Sequence, residues 1–402
     1  MTVEIRPVGV ECNLACKYCY QNGQREASAK RPGFSFDTVL QQVTKHNQPF
    51  TVFGGEALLL PIADLEKLFK HGFDNFGRTS IQSNGTLITK DYIRLFRRYN
   101  VSIGISIDGP GELNDARWVR NLRKTRRYTA RSEAAITMLI DSGIVPGLII
   151  TLHRINAAPR KLPRLLRWIR YLDSLGIKKV RLHNLQVDDP VVAEELLLDE
   201  DDCRAAFVAL YTLQKELSGL EFDIFRDIRD LLMGKDGDAS CVWKACDPYT
   251  TPAVQGIEGD GHASNCDRTN KGGIPFVKST EERHERYLAL YHTPQPYGGC
   301  RGCRFFMFCK GQCPGTAIDA DWRNRSADCG LWKTLFTLVE EEFIDRMECP
   351  LSISRMRSTI EAVLLESWTQ GINMPLNLAL EIAMACMKGS NDSLSNVDVA
   401  DA

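Results

Sequence analysis

The chain has 402 residues, with 50 Lys and Arg against 51 Asp and Glu, a formal charge of −1, and 44% hydrophobic residues. Near neutrality argues against a globally basic nucleic-acid binder, and the ordinary apolar content excludes a wholly disordered chain. The length suits one large α/β domain or two to three smaller ones. Fourteen cysteines are the unusual feature. The N-terminus MTVEIRPVGV has no basic n-region, apolar h-region or small-residue cleavage site. No apolar run approaches the roughly 18–20 residues that span a bilayer. A cytoplasmic, reducing setting without a membrane is therefore expected, in which clustered cysteines point to metal rather than to disulfides.

The first expected strand, Val3–Val10, runs into Cys12-Asn-Leu-Ala-Cys16-Lys-Tyr18-Cys19. Three thiolates within eight residues can close on one face of a cubane and leave one iron open to a small molecule. Zinc is the alternative, but closed zinc sites want four ligands and no nearby His completes this set. Further β-rich runs lie near Phe50–Phe53, Ser80–Ser83, Val101–Ile107, Val145–His153 and Lys179–Val187, with helical patterns between them at Asp64–His71, Thr89–Tyr99, Ser132–Ser142 and Arg160–Leu175. Three strands end in polar, glycine-containing turns: Gly54-Gly55-Glu56, Ser83-Asn84-Gly85 and Ser106-Ile107-Asp108-Gly109. Each alone reads as an ordinary strand-to-loop turn.

Taken in order, the Cys-x3-Cys-x2-Cys motif and these three segments resemble the radical S-adenosylmethionine (radical SAM) superfamily. The resemblance implies that Cys12, Cys16 and Cys19 hold a 4Fe–4S cluster and that Gly54, Gly55 and Glu56 bind the methionyl amino group of SAM. Ala57 stands where the family usually has Pro, which touches the stiffness of that turn. Ser106 and a following Arg would hold the SAM carboxylate and ribose. Arg117 is the best match for that Arg, one residue closer than the commonest spacing. Tyr18, Ser83, Asn84 and Asp108 join the expected cofactor contacts, and Leu185 is expected at the adenine, although an apolar residue there also reads as core. The implied fold is α/β: a partial (β/α)6 TIM-like barrel over residues 1–190, with ligand residues at strand C-terminal ends.

Residues 191–240 read as a helical linker, with an acidic stretch at Glu194–Asp202, amphipathic helices at Arg204–Leu217 and Asp223–Leu232, and a polar Gly234–Ser240 segment. Over 241–335 the cysteines cluster again: Cys300-x2-Cys303-x5-Cys309-x3-Cys313, then Cys329, with Cys241, Cys246 and Cys266 upstream. This spacing resembles the SPASM domain of certain radical SAM proteins, which holds two auxiliary 4Fe–4S clusters. By the family's interleaving, Cys241, Cys246, Cys266 and Cys313 bind one cluster, and Cys300, Cys303, Cys309 and Cys329 the other. Two structural zinc sites are the alternative. Cys203, Cys349 and Cys386 are left as ordinary thiols. Residues 336–402 return to helix, with apolar stripes at Leu335–Met347, Ile360–Trp368 and Leu376–Met387, and end in an acidic tail.

The resemblance implies three 4Fe–4S clusters, SAM, and a 5′-deoxyadenosyl radical that takes hydrogen from a precursor-peptide side chain. The expected outcome is an oxidative crosslink in a ribosomally made peptide. The alternatives are a sulfatase maturase forming formylglycine from Cys or Ser, and an RNA-modifying enzyme. Asp267 matches the family's proposed base, or pairs with Arg268 as an ordinary ion pair. A small reductant protein, flavodoxin or ferredoxin, is the expected electron source. Residues 117–131 hold seven basic side chains and no acidic one. They form either a surface that steers an acidic leader or a solvated helix face.

Overall fold

The computed structural model describes residues 2–27, 33–247, 250, 253–266, 268 and 283–395. Nine strands form one sheet: β1 (Thr2–Arg6), β2 (Phe50–Val52), β3 (Thr79–Ser83), β4 (Val101–Ser106), β5 (Gly147–Leu152), β6 (Lys179–Asn184), β7 (Glu221–Phe222), β8 (Val254–Glu258) and β9 (Ala263–Ser264). Their order is β7-β6-β5-β4-β3-β2-β1-β8-β9, so the sheet is open at β7 and β9, as a partial barrel requires. Every pairing is parallel except β8 with β9. Parallel neighbours need crossovers, and helices such as Ile62–Phe76, Lys90–Arg98 and Leu162–Ser174 supply them.

Alternation explains the strands. On β1, Val3 and Ile5 are fully buried. On β6, Val180 and Leu182 are buried, whereas Lys179, Arg181 and His183 stay accessible on the other face. The helix Leu122–Asp141 starts ten residues before the expected stretch. Its first half buries Thr125 and Thr129 rather than aliphatic side chains, so hydrophobic periodicity does not reveal it. Asn121 caps it, accepting from Lys124 N at 2.9 Å.

The chain divides into two compact units, Met1–Ile224 with Val254–Phe276, and Phe225–Ala253 with Val277–Ala402. This grouping falls elsewhere than the expected boundaries at 190, 240 and 335. Helices Pro190–Leu196 and Glu200–Gln214 lie in the first unit. The β8–β9 hairpin also belongs to it, because β8 pairs in register with β1 (Ile5 opposite Ile257). Buried Arg6 reinforces that edge, donating to Ser264 Oγ and to Asn265 O at 2.8 Å and pairing with Glu258 at 2.9 Å.

The second unit is mostly helical, with Glu285–His292, Cys329–Asp345, Arg357–Thr369 and Leu376–Ser395. Its core is aromatic: fully buried Trp243 meets Trp332 and Phe336 edge-on at 5.7 and 5.4 Å. Among the described residues no helix is long and apolar enough to cross a membrane.

Candidate active site

The loop after β1 carries Cys12, Cys16 and Cys19, and backbone hydrogen bonds hold it in place. Ala15 N donates to Trp118 O at 2.8 Å and Lys17 N to Ala116 O at 2.9 Å, while Cys19 N closes a turn on Cys16 O at 3.1 Å. Leu14 N points at Cys12 Sγ (3.4 Å) and Arg25 Nη2 at Cys19 Sγ (3.7 Å). Burial pushes the Cys12 thiol up to about 11 and raises Cys16 further, and each opposes ionisation of its neighbours. Three thiols that repel one another as thiolates fit a cationic iron cluster, which would stabilise all three. Among the described residues no three His, Cys, Asp or Glu side chains group closely enough for one metal ion.

Gly54 and Gly55 have a different immediate reason from the one the sequence suggested. Gly54 sits at φ +123°, and a Cβ on Gly55 would lie 2.1 Å from Glu11 O. The turn packs against the cysteine loop itself, with Gly55 N bonded to Gly9 O and Glu56 N to Glu11 O, both at 2.8 Å. Glu56 is buried and spans the ends of β2 and β3. Its Oε1 accepts from Ser83 Oγ at 2.8 Å and Leu58 N at 3.1 Å, and its Oε2 from Asn84 N at 2.8 Å. Burial raises its pKa against those three donors. Asn84 Nδ2 then reaches Asn13 Oδ1 at 2.8 Å, tying β3 to the cysteine loop. Glu56, Ser83 and Asn84 are thus brought together as expected, but as one another's partners.

Asp108 is the centre of the second cluster. It is fully buried, and Arg117 meets it with Nη2 at 3.1 Å from Oδ1 and Nε at 3.1 Å from Oδ2. Tyr18 OH and Thr151 N (3.0 Å) donate to the same carboxylate, and His153 Nε2 lies 3.4 Å away. Burial disfavours its ionisation, but Arg117, His153 and Tyr18 outweigh that and hold the carboxyl well below the usual range. Asp108 correspondingly raises Arg117 against burial. Despite the shortened spacing, Arg117 thus reaches Asp108. Ser106 lies beside it, accepting from Gln82 Nε2 at 3.2 Å.

Sequence reasoning missed His153, Asn156 and Asn114. Asn114 Oδ1 accepts from Asp108 N, and Asn156 Nδ2 donates to Asp108 O, both at 2.8 Å. The one available signal was a polar His-Arg-Ile-Asn run directly after β5. Leu185 is 4% exposed and packs with Ala116, Leu196 and Tyr18, so its side chain belongs to the core. Asp267 lies outside the described residues. Nearby, Arg268 binds Gln186 Oε1 and sits 5.7 Å over the Tyr20 ring. His183 is accessible but closely surrounded; desolvation, then Arg181, Arg268 and Arg117, push its imidazole down to about 3.

In the second unit, Cys300, Cys303, Cys309 and Cys329 line one cavity, walled by Phe305, Phe306, Trp332 and Phe336. Burial, then the neighbouring sulfurs, push Cys300 up to about 12 and Cys309 well up. These four are the set that the family resemblance implied, and the donors fit a cluster on the same grounds as the first loop. Of the other expected set, Cys241, Cys246 and Cys313 lie in the second unit and Cys266 in the first. Cys203 is buried, with Sγ 3.2 Å from Asn184 Oδ1, and Cys349 and Cys386 are exposed.

Residues 7–169 match the family model of the radical SAM superfamily. A cysteine-type anaerobic sulfatase-maturating enzyme of Clostridium perfringens (strain ATCC 13124) is 30% identical over 351 residues, 78% of this chain and 88% of that one. Among solved structures, native anSMEcpe with bound AdoMet and Kp18Cys peptide superposes with a TM-score of 0.64 at 19% identity, over 86% of this chain and 98% of that one. Streptococcus suis SuiB bound to precursor peptide SuiA gives 0.52 at 16% identity, over 82% and 75%.

Proposed function

Because the chain belongs to the radical SAM superfamily, in the maturase group that includes the anaerobic sulfatase-maturating enzymes, we propose that it oxidises a side chain of a peptide or protein. Formylglycine formation from Cys or Ser is the first reading and a peptide crosslink the second. This reverses the order suggested by sequence alone, and the relationship to a sulfatase-maturating enzyme over 78% of this chain and 88% of that one is the reason. The observation that carries the chemistry is the convergence of the three-cysteine loop, Glu56-Ser83-Asn84 and Asp108-Arg117 at one end of the sheet.

When bound, SAM and its cluster supply a 5′-deoxyadenosyl radical that abstracts hydrogen from an unactivated C–H bond. Cys12, Cys16 and Cys19 would hold that cluster with one iron left open. Arg117 offers a guanidinium fixed by Asp108, and Asp108 stays ionised because it is surrounded by donors. Glu56, locked to Ser83, Leu58 and Asn84, offers its remaining acceptor position on Oε2 to an ammonium group. Asp267 stands as the base that takes the substrate's proton. The four cysteines around the aromatic cavity would hold a fully protein-ligated cluster, suited to accepting the substrate's electron. Cys241, Cys246, Cys266 and Cys313 remain the proposed ligands of a third.

The test is anaerobic incubation of the reduced, reconstituted protein with SAM and matched Cys- and Ser-containing sulfatase peptides. Formation of 5′-deoxyadenosine together with an aldehyde product is expected. SAM cleavage with a crosslinked peptide and no aldehyde would favour the second reading. No cleavage with any reductant would sink both.

A further inference from the structure

The helix Leu122–Asp141 is charged against its own dipole. Arg123, Lys124, Arg126 and Arg127 crowd its N-terminal end, and its first turn holds no acidic residue. Cations there face the positive pole of the helix, so local helix stability does not account for them. Arg126 is compensated by Asp115 at 3.0 Å. No carboxylate within ion-pair distance is found among the described residues for Arg120, Arg123, Lys124 or Arg127. At 3.6 residues per turn, Arg123, Lys124, Arg127 and Arg131 fall within an arc of roughly 100°, and all four are exposed. Leu122, 44% exposed, adds an apolar spot beside them.

The segment just before this stripe is bonded to the cysteine loop. Trp118, two residues before Arg120, accepts from Ala15 N, and Ala116 accepts from Lys17 N. Lys17 Nζ also lies 5.6 Å over the Trp118 ring. The exposed cations therefore begin beside the segment that braces Cys12, Cys16 and Cys19.

We propose that the face formed by Arg120, Arg123, Lys124, Arg127 and Arg131 docks an acidic one-electron donor protein that reduces the cluster held by the cysteine loop. One electron leaves the donor's flavin or iron–sulfur centre and enters that cluster; no bond is made or broken and no proton moves. The inference rests on the radical SAM reading above. The bonds joining Ala116 and Trp118 to the cysteine loop favour an electron donor over an acidic peptide, because electron transfer needs a short path to the cluster and leader docking does not.

The test uses the full-length, cluster-loaded enzyme with flavodoxin, an acidic flavin protein, as the probe. The parent and the Arg123→Glu/Arg127→Glu variant are compared for 5′-deoxyadenosine formation driven by reduced flavodoxin and, separately, by dithionite. Glutamates suit that end of the helix, so the variant should fold. The flavodoxin-driven rate should fall about tenfold or more at low salt, with the dithionite-driven rate unchanged. Added salt should lower the parent's flavodoxin-driven rate as well. Binding of oxidised flavodoxin to the resting holoenzyme without SAM should weaken about tenfold, and Arg123→Lys/Arg127→Lys should retain it. That binding titration tests the surface even if no SAM is ever cleaved, so the two readings can fail separately. An unchanged flavodoxin response overturns the proposal, as does a loss shared equally with dithionite. Weakened binding of an acidic peptide with an intact flavodoxin response would assign the face to substrate and overturn it too.

Discussion

Two regions of this molecule gather cysteines, and their surroundings differ. Around Cys12, Cys16 and Cys19 the neighbours are polar and mutually bonded: Asn13, Asn84, Glu56, and the Asp108–Arg117–Tyr18 group. Around Cys300, Cys303, Cys309 and Cys329 the walls are largely aromatic, with the cations Arg325 and Lys333 among them. On the proposed reading, three thiols leave one iron open to a charged small molecule, whereas four leave none. That reading separates a place for chemistry from a place for an electron.

The largest expected effect is at the first region. Cys12→Ala should abolish SAM cleavage, and the iron content should fall from about twelve to about eight per chain. Retained cleavage would break the comparison. Cys309→Ala should cost a similar quantity of iron yet leave dithionite-driven SAM cleavage in place while product formation stops. If cleavage stops as well, the two regions do not divide the work in this way.

Next comes the buried pair. Asp108→Asn leaves Arg117 buried without its counter-charge and should destabilise the first unit by about 3–5 kcal/mol, read by urea unfolding. The pH dependence has a definite sign. The folded-state pKa of Asp108 lies below the usual value of about 3.9, so its contribution is complete above about pH 4 and is lost as pH falls toward the folded value. Acid unfolding of the parent should steepen below about pH 4, and the Asn variant should lack that component.

Trp243→Ala should cost about 3–5 kcal/mol, confined to the second unit and visible as a shifted transition with SAM binding intact. The smallest effect sharpens the picture at the basic helix. Asn121→Ala removes the acceptor for Lys124 N and should cost about 1 kcal/mol. Hydrogen exchange at the start of that helix is the measurement, and unaltered protection there would show that the cap does not hold it.

Legibility varied for physical reasons. The cysteine spacings, Gly54-Gly55-Glu56 and the parallel strand–helix order were readable because each is local in sequence. The helix at Leu122–Asp141 was half hidden, since Thr125 and Thr129 fill apolar positions. His153 and Asn156 gave only the weak signal of a polar run after β5, because their importance lies in meeting Asp108, which follows a different strand. The pairing of β8 with β1 was equally invisible, resting on contacts some 250 residues apart.

The sequence by itself determined where the cysteines cluster and the strand–helix order of the first half, because both follow from short-range spacing and periodicity. Only the tertiary structure decided what those residues face. Glu56, read as a partner for a ligand, is bonded to Ser83, Asn84 and Leu58. Leu185 turned into the core. Asp108 and Arg117 became a buried pair because removing either charge from water requires the other beside it.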